Sequence, residues 1–341
     1  MIDGIKIYSK KSDFTGNFDN CMPDEDNDGV LRLINPDERN SHYMTIKETR
    51  YGSITIKGSL RKWQYGPTTL KDLNEKSFAK SLRKLAKALN MPYKDLLKGK
   101  ITRCEIGLNV ITHEPIANIN QRILKYKHVE KKDYKRKHQT LYFNLNDKCI
   151  KIYDKMSEIT HRIEDKEKRI KKKNSFFKFI SHGYNFLRLE LCLFDQRSFD
   201  RQHLGHISTL EDLLNHYQEL YPLWVTEMNN LMIFSNPIIT KEMKDKEITM
   251  AKDINEIGFI DTFEKYCTDI ANSNKSDNAK RIEKSRTYEA MRSLIEKYGS
   301  KDEYNKAQFR KDIARTLIKI GRDDAQVNLS FLFRLLWRKP N

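Results

Sequence analysis

The 341-residue sequence lacks any apolar run approaching the roughly 18 residues that a membrane-spanning helix needs. Its start, Met-Ile-Asp-Gly-Ile-Lys, lacks the apolar core of a signal peptide. The five cysteines are odd in number, lie far apart and form no Cys-x-x-Cys pair, so neither a disulfide framework nor a zinc knuckle is indicated. We therefore expect a cytoplasmic protein without a membrane partner.

Acidic residues are the minority charge, with 47 Asp and Glu against 64 Lys and Arg, and the formal net charge is +17. A chain this basic repels itself unless it works against a polyanion. Nucleic acid, an acidic membrane surface and an acidic partner protein remain as classes of partner, and membrane is the weakest of the three. The charge balance therefore favours nucleic acid.

Alternation of apolar and polar residues predicts several strands, and helical spacing predicts two helices in the first part of the chain. The expected fold class is α+β, with an antiparallel central sheet and flanking helices in a domain over residues 1–237. The predicted strands cover residues 2–8, 43–47, 53–57, 101–110, 140–144, 148–153 and 186–194, and the predicted helices cover 73–89 and 116–126.

The remainder of the chain changes character. Residues 238–280 are charged and include Asn272-Ser-Asn-Lys-Ser-Asp277, which indicates a linker or extension. Within 281–341, helical patterns at 279–298 and 304–320 and a shorter apolar element at 329–337 favour a helix-turn-helix-like DNA-binding region. A helical cap that packs on the first domain fits the same periodicity.

Two of the predicted strands carry an Arg-x-Glu pair on the face opposite to their apolar residues. In one strand the pair is Arg103 and Glu105, and in the other it is Arg188 and Glu190. Charged side chains in a core strand need a reason. Cross-strand ion pairing is one interpretation, and an active site is the other.

Between these strands, the segment 148–153 places Lys151 and Tyr153 on the carboxylate side of the sheet. Two glutamates on adjacent strands suit Mg²⁺ or Mn²⁺. A nearby tyrosine can attack phosphorus and form a covalent phosphotyrosine, with Lys151 or Lys155 lowering its pKa or stabilising charge. The ordinary alternative is that Tyr153 is a packing residue.

One histidine pair resembles a metal motif of nicking enzymes. His203-Leu-Gly-His206 has one residue more than the His-hydrophobic-His signature. We therefore interpret this stretch as an ordinary loop.

In their shared order, these motifs resemble the replication endonucleases of filamentous phages, the gene II/X proteins, and related plasmid rolling-circle initiators. Ile101-Thr-Arg-Cys-Glu105 resembles the family's Ser-Arg-Ile-Asp strand, with Glu in place of Asp, and Leu187-Arg-Leu-Glu190 resembles its later Arg-Phe-Glu strand. Tyr153-x-Lys155-x-x-Glu158 resembles the segment with the catalytic tyrosine. Further similar stretches lie at 1–4, 56–66, 140–144 and 286–329.

The resemblance implies a fold like that of HUH endonucleases, here lacking a clear His-hydrophobic-His motif. It implies rolling-circle initiation in the bacterial cytoplasm, in which one strand of a phage or plasmid origin is nicked and later rejoined through a 5′-phosphotyrosyl intermediate. Partners would be double-stranded origin DNA, the displaced single strand, and host helicase and polymerase. The alternative function is a non-catalytic origin- or operator-binding protein.

The resemblance also implies residue roles. Tyr153 would be the nucleophile and Lys155 an electrostatic assistant, while Glu105 and Glu190 would bind Mg²⁺ or Mn²⁺. Accessory positions would be Arg103, Lys151, Glu158 and Arg188. The residues expected to contact DNA are Lys57, Arg61, Lys62, Lys132, Lys135, Arg136, Arg286 and Arg310.

Overall fold

The structure is a computed structural model, and it describes residues 1–35, 42–112, 116–130, 132–133, 140–161, 185–228 and 230–301. These residues form two antiparallel sheets with helices packed against them, which confirms the predicted α+β fold class. The predicted helices at 304–320 and 329–337 lie outside the described residues, as do Lys135, Arg136 and Arg310.

The larger sheet contains ten strands. They are β1 (Ile2–Lys10), β2 (Cys21–Pro23), β3 (Val30–Leu33), β4 (Met44–Thr49), β5 (Ser53–Ser59), β6 (Lys100–Thr112), β9 (Lys132–Asp133), β10 (Thr140–Asn144), β11 (Lys148–Asp154) and β12 (Asn185–Leu193). Their order across the sheet is β2-β3-β4-β5-β1-β6-β12-β11-β10-β9. Every neighbouring pair is antiparallel.

Two pairs of predicted strands form hairpins. The β4–β5 hairpin turns through Gly52, whose φ of +68° lies in the left-handed region that glycine adopts without steric cost. The β10–β11 hairpin aligns Thr140 with Tyr153 and Asn144 with Cys149. In the centre of the sheet, β12 lies between β6 and β11, so the two Arg-x-Glu strands and the tyrosine strand are direct neighbours.

Helices pack against this sheet and bury their own apolar faces. In α2, Phe78, Leu82 and Leu85 are buried, and Asn74 begins the helix with a capping box. The predicted helix at 73–89 is therefore confirmed. The helices of this part of the chain are α1 (Leu60–Tyr65), α2 (Glu75–Ala88), α3 (Tyr93–Leu97), α4 (Ile116–Arg122), α5 (Lys155–His161), α6 (Gln196–Arg201), α7 (Leu210–Asn215) and α8 (Leu220–Met228).

The second predicted helix, at 116–126, is wrong in its last part. The helix ends at Arg122, and residues 123–126 form a strand, β7 (Ile123–Tyr126). That strand pairs with β13 (Leu231–Pro237), about a hundred residues further along the chain. Helical spacing alone cannot reveal such a distant pairing, which overrides local propensity.

Strand β7 belongs to a second sheet that also contains β8 (Val129–Glu130) and β14 (Gly299–Lys301), in the order β14-β13-β7-β8. Helices α9 (Asp245–Ile257), α10 (Phe259–Ala271) and α11 (Asp277–Tyr298) share a second apolar cluster that includes Ile254, Phe259 and Ile295. Most of 238–280, the segment predicted as a linker or extension, is helical. The helix predicted at 279–298 is confirmed as α11.

None of the helices within the described residues combines the length and apolar character that crossing a membrane requires.

Candidate active site

A cavity of about 660 Å³ opens on the polar side of the central sheet. It brings together side chains from β1, β5, α1, β6, β10, β11, α5 and β12, that is, from segments spread over nearly two hundred residues of sequence. The lining residues are Asp3, Ser59, Lys62, Glu105, Thr140, Tyr142, Lys151, Tyr153, Asp154, Ser157, Glu158, His161 and Glu190.

The strand register explains why the carboxylates converge. Lys151 lies opposite Glu190, and Glu190 lies opposite Gly107 on the next strand. A Cβ atom on Gly107 would lie 2.7 Å from Nη2 of Arg188 and 2.9 Å from Cγ of Glu190. Glycine at this position therefore leaves the space that these two side chains occupy.

Tyr153 lies beside one of the predicted carboxylates. Its hydroxyl donates a hydrogen bond to Oε1 of Glu190 at 2.9 Å. Burial, and next the negative charge of Glu190, raise the pKa of Tyr153 well above its ordinary value of about 10. The phenol is thus protonated at neutral pH, with an acceptor for its proton already in hydrogen-bond contact.

Glu105 lies on the same side of the sheet and is fixed by two cations. Its Oε1 accepts hydrogen bonds from Arg103 at 2.8 Å and from Lys151 at 3.3 Å. Its other oxygen, Oε2, approaches the backbone of Gly4 so closely that an added Cβ would lie 2.6 Å away. Gly4 therefore makes room for the Glu105 carboxylate.

Lys151 bridges the two glutamates, because its Nζ also lies 3.7 Å from Oε2 of Glu190. Burial alone would lower the pKa of Lys151, but the neighbouring Cys192 and then the charges of Glu105 and Glu190 raise it above the ordinary lysine value. Lys151 is therefore a permanent positive charge between the two carboxylates.

The donor set fits Mg²⁺ or Mn²⁺. Two carboxylates from neighbouring protein segments, completed by water and substrate phosphate, are a common way to hold Mg²⁺. Oε2 of Glu190 and Oε2 of Glu105 are the oxygens that accept none of the hydrogen bonds described above. The ammonium of Lys151 lies where a cation shared by the two glutamates would bind, so such an ion would displace it along its flexible stem.

Arg188 anchors the floor of the site. It is fully buried, and its guanidinium donates to Oδ2 of Asp3 at 2.6 Å, Oδ1 of Asp72 at 2.5 Å and Oε1 of Glu190 at 3.1 Å. Burial would raise the pKa of Asp3, but Arg61 and Arg188 hold it well below its ordinary range. The predicted Arg-x-Glu pair is thus an ion pair, and its glutamate, Glu190, lines the cavity.

A family model that describes the N-terminal part of a phage replication-associated protein, the gene II protein, matches residues 6–212. The match covers more than half of the chain and includes Glu105, Tyr153 and Glu190. The chain belongs to this phage replication family. The finding confirms the resemblance to the filamentous-phage gene II proteins. No curated protein matches the chain.

In this phage-type replication protein, Lys155 does not line the cavity. It is fully buried, donates to Oε2 of Glu158 at 2.6 Å, and places its Nζ 5.8 Å from the centre of the Tyr153 ring. Burial, followed by the charge of Arg61, lowers the pKa of Lys155 to about 7. Lys155 therefore contacts the ring face and Glu158, and its predicted role as electrostatic assistant would act through them.

Glu158 also pairs with Lys62, at 2.9 Å from its Nζ, so the predicted accessory glutamate links two lysines. Lys62 is largely buried, but it lines the cavity. A phosphate bound there could take over part of the ion pair that Lys62 makes with Glu158. Lys57 is exposed on β5, and the backbone of Lys132 lies in the edge strand β9.

The prediction that Arg61 contacts DNA is wrong. Its side chain has 0% exposure and its Nε donates to Oδ2 of Asp3 at 3.1 Å, so it cannot reach a phosphate. Arg286 lies on α11, where it lines a groove together with Lys246 and Lys275.

The sequence interpretation missed Asp3 and Asp72. Asp3 follows Ile2 and precedes a glycine in the first strand, and an acid–glycine pair inside an apolar alternation is a signal that could have identified it. Asp72 lies in the segment before α2 and carries no such signal. Only the fold brings it to Arg188.

Proposed function

We propose that this gene II-type protein initiates replication by nicking one strand of origin DNA and later rejoining it, with Tyr153 as the nucleophile. The observation that carries the proposal is the hydrogen bond from the Tyr153 hydroxyl to Glu190, in a cavity that also holds Glu105 and Lys151. A phenol with a carboxylate acceptor next to it has the arrangement of an activated nucleophile and its base.

In the proposed reaction, Oε1 of Glu190 takes the phenolic proton as the Tyr153 oxygen attacks phosphorus. The bond from phosphorus to the 3′ oxygen breaks, which leaves a 5′-phosphotyrosyl linkage and a strand end that becomes a free 3′-OH once it is protonated. Lys151, whose ammonium lies between Glu105 and Glu190 until a metal ion displaces it, stabilises negative charge on the phosphate. A Mg²⁺ or Mn²⁺ ion held by the two glutamates would polarise a phosphoryl oxygen.

Rejoining follows the same path in reverse. A 3′-OH attacks the phosphotyrosine, the tyrosine oxygen leaves, and protonated Glu190 returns the proton to it. The free 3′-OH made in the first step is the primer that a host polymerase would extend while a host helicase separates the strands. We therefore place the reaction in the bacterial cytoplasm.

Replacing Glu105 or Glu190 with glutamine tests this division of roles. Each change keeps side-chain volume but removes the charge, so we expect nicking of a supercoiled plasmid carrying the cognate origin to fall about 10²- to 10⁴-fold. Origin affinity should change little. The measurement is the yield of nicked circles with Mn²⁺, with and without EDTA, beside the binding constant from a mobility-shift assay.

Glu48→Gln is the matched control, because Glu48 is exposed on β4 and pairs only with Lys11 among the contacts of the described residues. It should nick normally. An equal loss of binding and nicking in the two cavity variants would identify Glu105 and Glu190 as structural residues. Absence of nicking by the unmodified protein under every metal condition would favour the non-catalytic origin-binding alternative.

A row of cations runs from the cavity across the polar side of the sheet. Arg103 lies opposite Lys6, and Lys6 lies opposite Lys57, on three adjacent strands. Like charges directly opposite each other destabilise a sheet, and within the part of the chain that the structure describes neither lysine has an ion-pair partner. We propose that the DNA strand leaving the cavity lies along this cation row.

The variants Lys6→Gln and Lys57→Gln should each weaken binding of single-stranded DNA and make it less dependent on salt. Each lost phosphate contact should reduce the slope of log K against log salt by about 0.7. The measurement is fluorescence anisotropy at several salt concentrations, with Lys80→Gln as control, since Lys80 is exposed on α2 and is not part of the cation row. A slope equal to that of the unmodified protein would refute the proposed path.

A further inference from the structure

Three potential metal ligands meet at the surface beside α7, away from the residues that line the cavity. Nε2 of His206 lies 3.0 Å from Oε2 of Glu219, and Nδ1 of His216 lies 2.6 Å from Oε1 of the same carboxylate. The two imidazole rings lie edge to face with centres 4.4 Å apart. One ligand atom from each of the three residues lies within 4.8 Å of the others.

The local fold holds these three residues in place. His206 lies in the loop between α6 and α7, His216 follows the last residue of α7, and Glu219 ends the short 3₁₀ turn Tyr217–Glu219. The loop is tied to the main sheet, because the amide of Ile101 donates to the carbonyl of Ser208 at 2.9 Å. Since the backbone is anchored around all three positions, their side chains converge without a large rearrangement.

Anchoring also comes from the buried residues between the ligands. Tyr217 is buried in the main core and donates from its hydroxyl to the carbonyl of Leu73 at 2.6 Å. Leu220, which directly follows Glu219, is buried as well. The ligands therefore project from a rigid corner of the fold, and metal binding would not have to order a free loop first.

We propose that His206, His216 and Glu219 bind a transition-metal ion of the Zn²⁺ type. Two imidazole nitrogens and one carboxylate oxygen form a recognised three-ligand set for zinc, with bonds of about 2.0–2.2 Å and a position left for water. To surround an ion, side-chain rotations would have to open the nitrogen–oxygen separations of 2.6 and 3.0 Å and bring ligand atoms that now lie within 4.8 Å of one another to similar distances from the ion.

This site differs in chemistry from the pair Glu105 and Glu190. Nitrogen donors prefer Zn²⁺, Ni²⁺ and Cu²⁺, whereas an all-oxygen site suits Mg²⁺ and Mn²⁺. Among the described residues, no other cluster of three His, Cys, Asp or Glu side chains meets the same distance criterion. An ion here would join the α6–α7 loop to the residues after α7, next to the start of β6, the strand that carries Glu105.

The proposal is tested on the full chain after metal is removed with a chelator and the chelator is dialysed away. With excess Mg²⁺ present to occupy the carboxylate site, Zn²⁺ titrated by calorimetry should bind at one equivalent and raise the melting temperature. Co²⁺ in place of Zn²⁺ should produce the visible absorption of a tetrahedral site. His216→Ala and Glu219→Ala should weaken binding on the order of 100-fold or more.

His203→Ala is the matched control, since His203 is exposed in the same loop but lies outside the cluster. It should bind Zn²⁺ like the unmodified protein. His206→Gln gives a second variant in case an alanine substitution impairs folding. If Zn²⁺ binds equally to all variants, or to none including the unmodified protein, the three side chains form only a hydrogen-bonded cluster and the proposal fails.

Discussion

Replacing Tyr153 with phenylalanine should abolish covalent capture of DNA by this protein and reduce nicking by at least about 10³-fold. The change removes the attacking oxygen and leaves the ring in place, so the packing against Lys155 should persist. The hydrogen bond to Glu190 is lost, which should change the free energy of unfolding by only about 1 kcal/mol. The measurement is the amount of protein that stays on nicked plasmid after denaturation.

Tyr142→Phe separates loss of the nucleophile from a general effect on the cavity. Tyr142 lines the same cavity and lies opposite Lys151 in the β10–β11 register, but it belongs to the neighbouring strand. This variant should still form the covalent adduct. If Tyr153→Phe nicks normally while Tyr142→Phe does not, the assignment of the nucleophile is wrong and must move to β10.

Period-2 alternation predicted that six residues share one side of neighbouring strands. The structure puts them there: Arg103, Glu105, Lys151, Tyr153, Arg188 and Glu190. Alternation is a local property of an extended chain, so it can be read from a short stretch of sequence. It predicted which side chains share a face. It could not predict that Tyr153 contacts Glu190 rather than Glu105, because that depends on strand order and register.

Contacts between distant segments were the part that the sequence could not supply. Asp72 reaches Arg188 from the segment before α2, and residues 123–126 become a strand only because β13 pairs with them. His206 lies beside His216 and Glu219 only because the chain turns at the end of α7. The spacing of His203 and His206 in the sequence gives no indication of this turn. In each case non-local packing decided the outcome.

Replacing Arg188 with methionine should have the largest effect on stability. Arg188 has 0% exposure and is the shared partner of Asp3, Asp72 and Glu190. Methionine retains much of the length of the stem but leaves these carboxylates without their common cation, and breaking a buried ion pair in this way destabilises proteins by about 3–5 kcal/mol. The measurement is urea unfolding of both proteins at pH 7.

The loss should depend on pH in a direction that follows from the two aspartates. Arg188 helps to hold the pKa values of Asp3 and Asp72 below their ordinary range, so its stabilisation is present above about pH 4 and disappears as these groups protonate at lower pH. Without Arg188, Asp3 keeps Arg61 but both aspartates lose a major cation, so both pKa values should rise from their lowered positions. The difference in unfolding free energy should therefore stay large from pH 7 down to about 4 and narrow as the pH falls below 4. As the control, Arg197→Met removes an exposed partner of Asp195, so its unfolding free energy should change little at any pH. If the loss of unfolding free energy in Arg188→Met stays constant with pH, the charge-based role of Arg188 is contradicted.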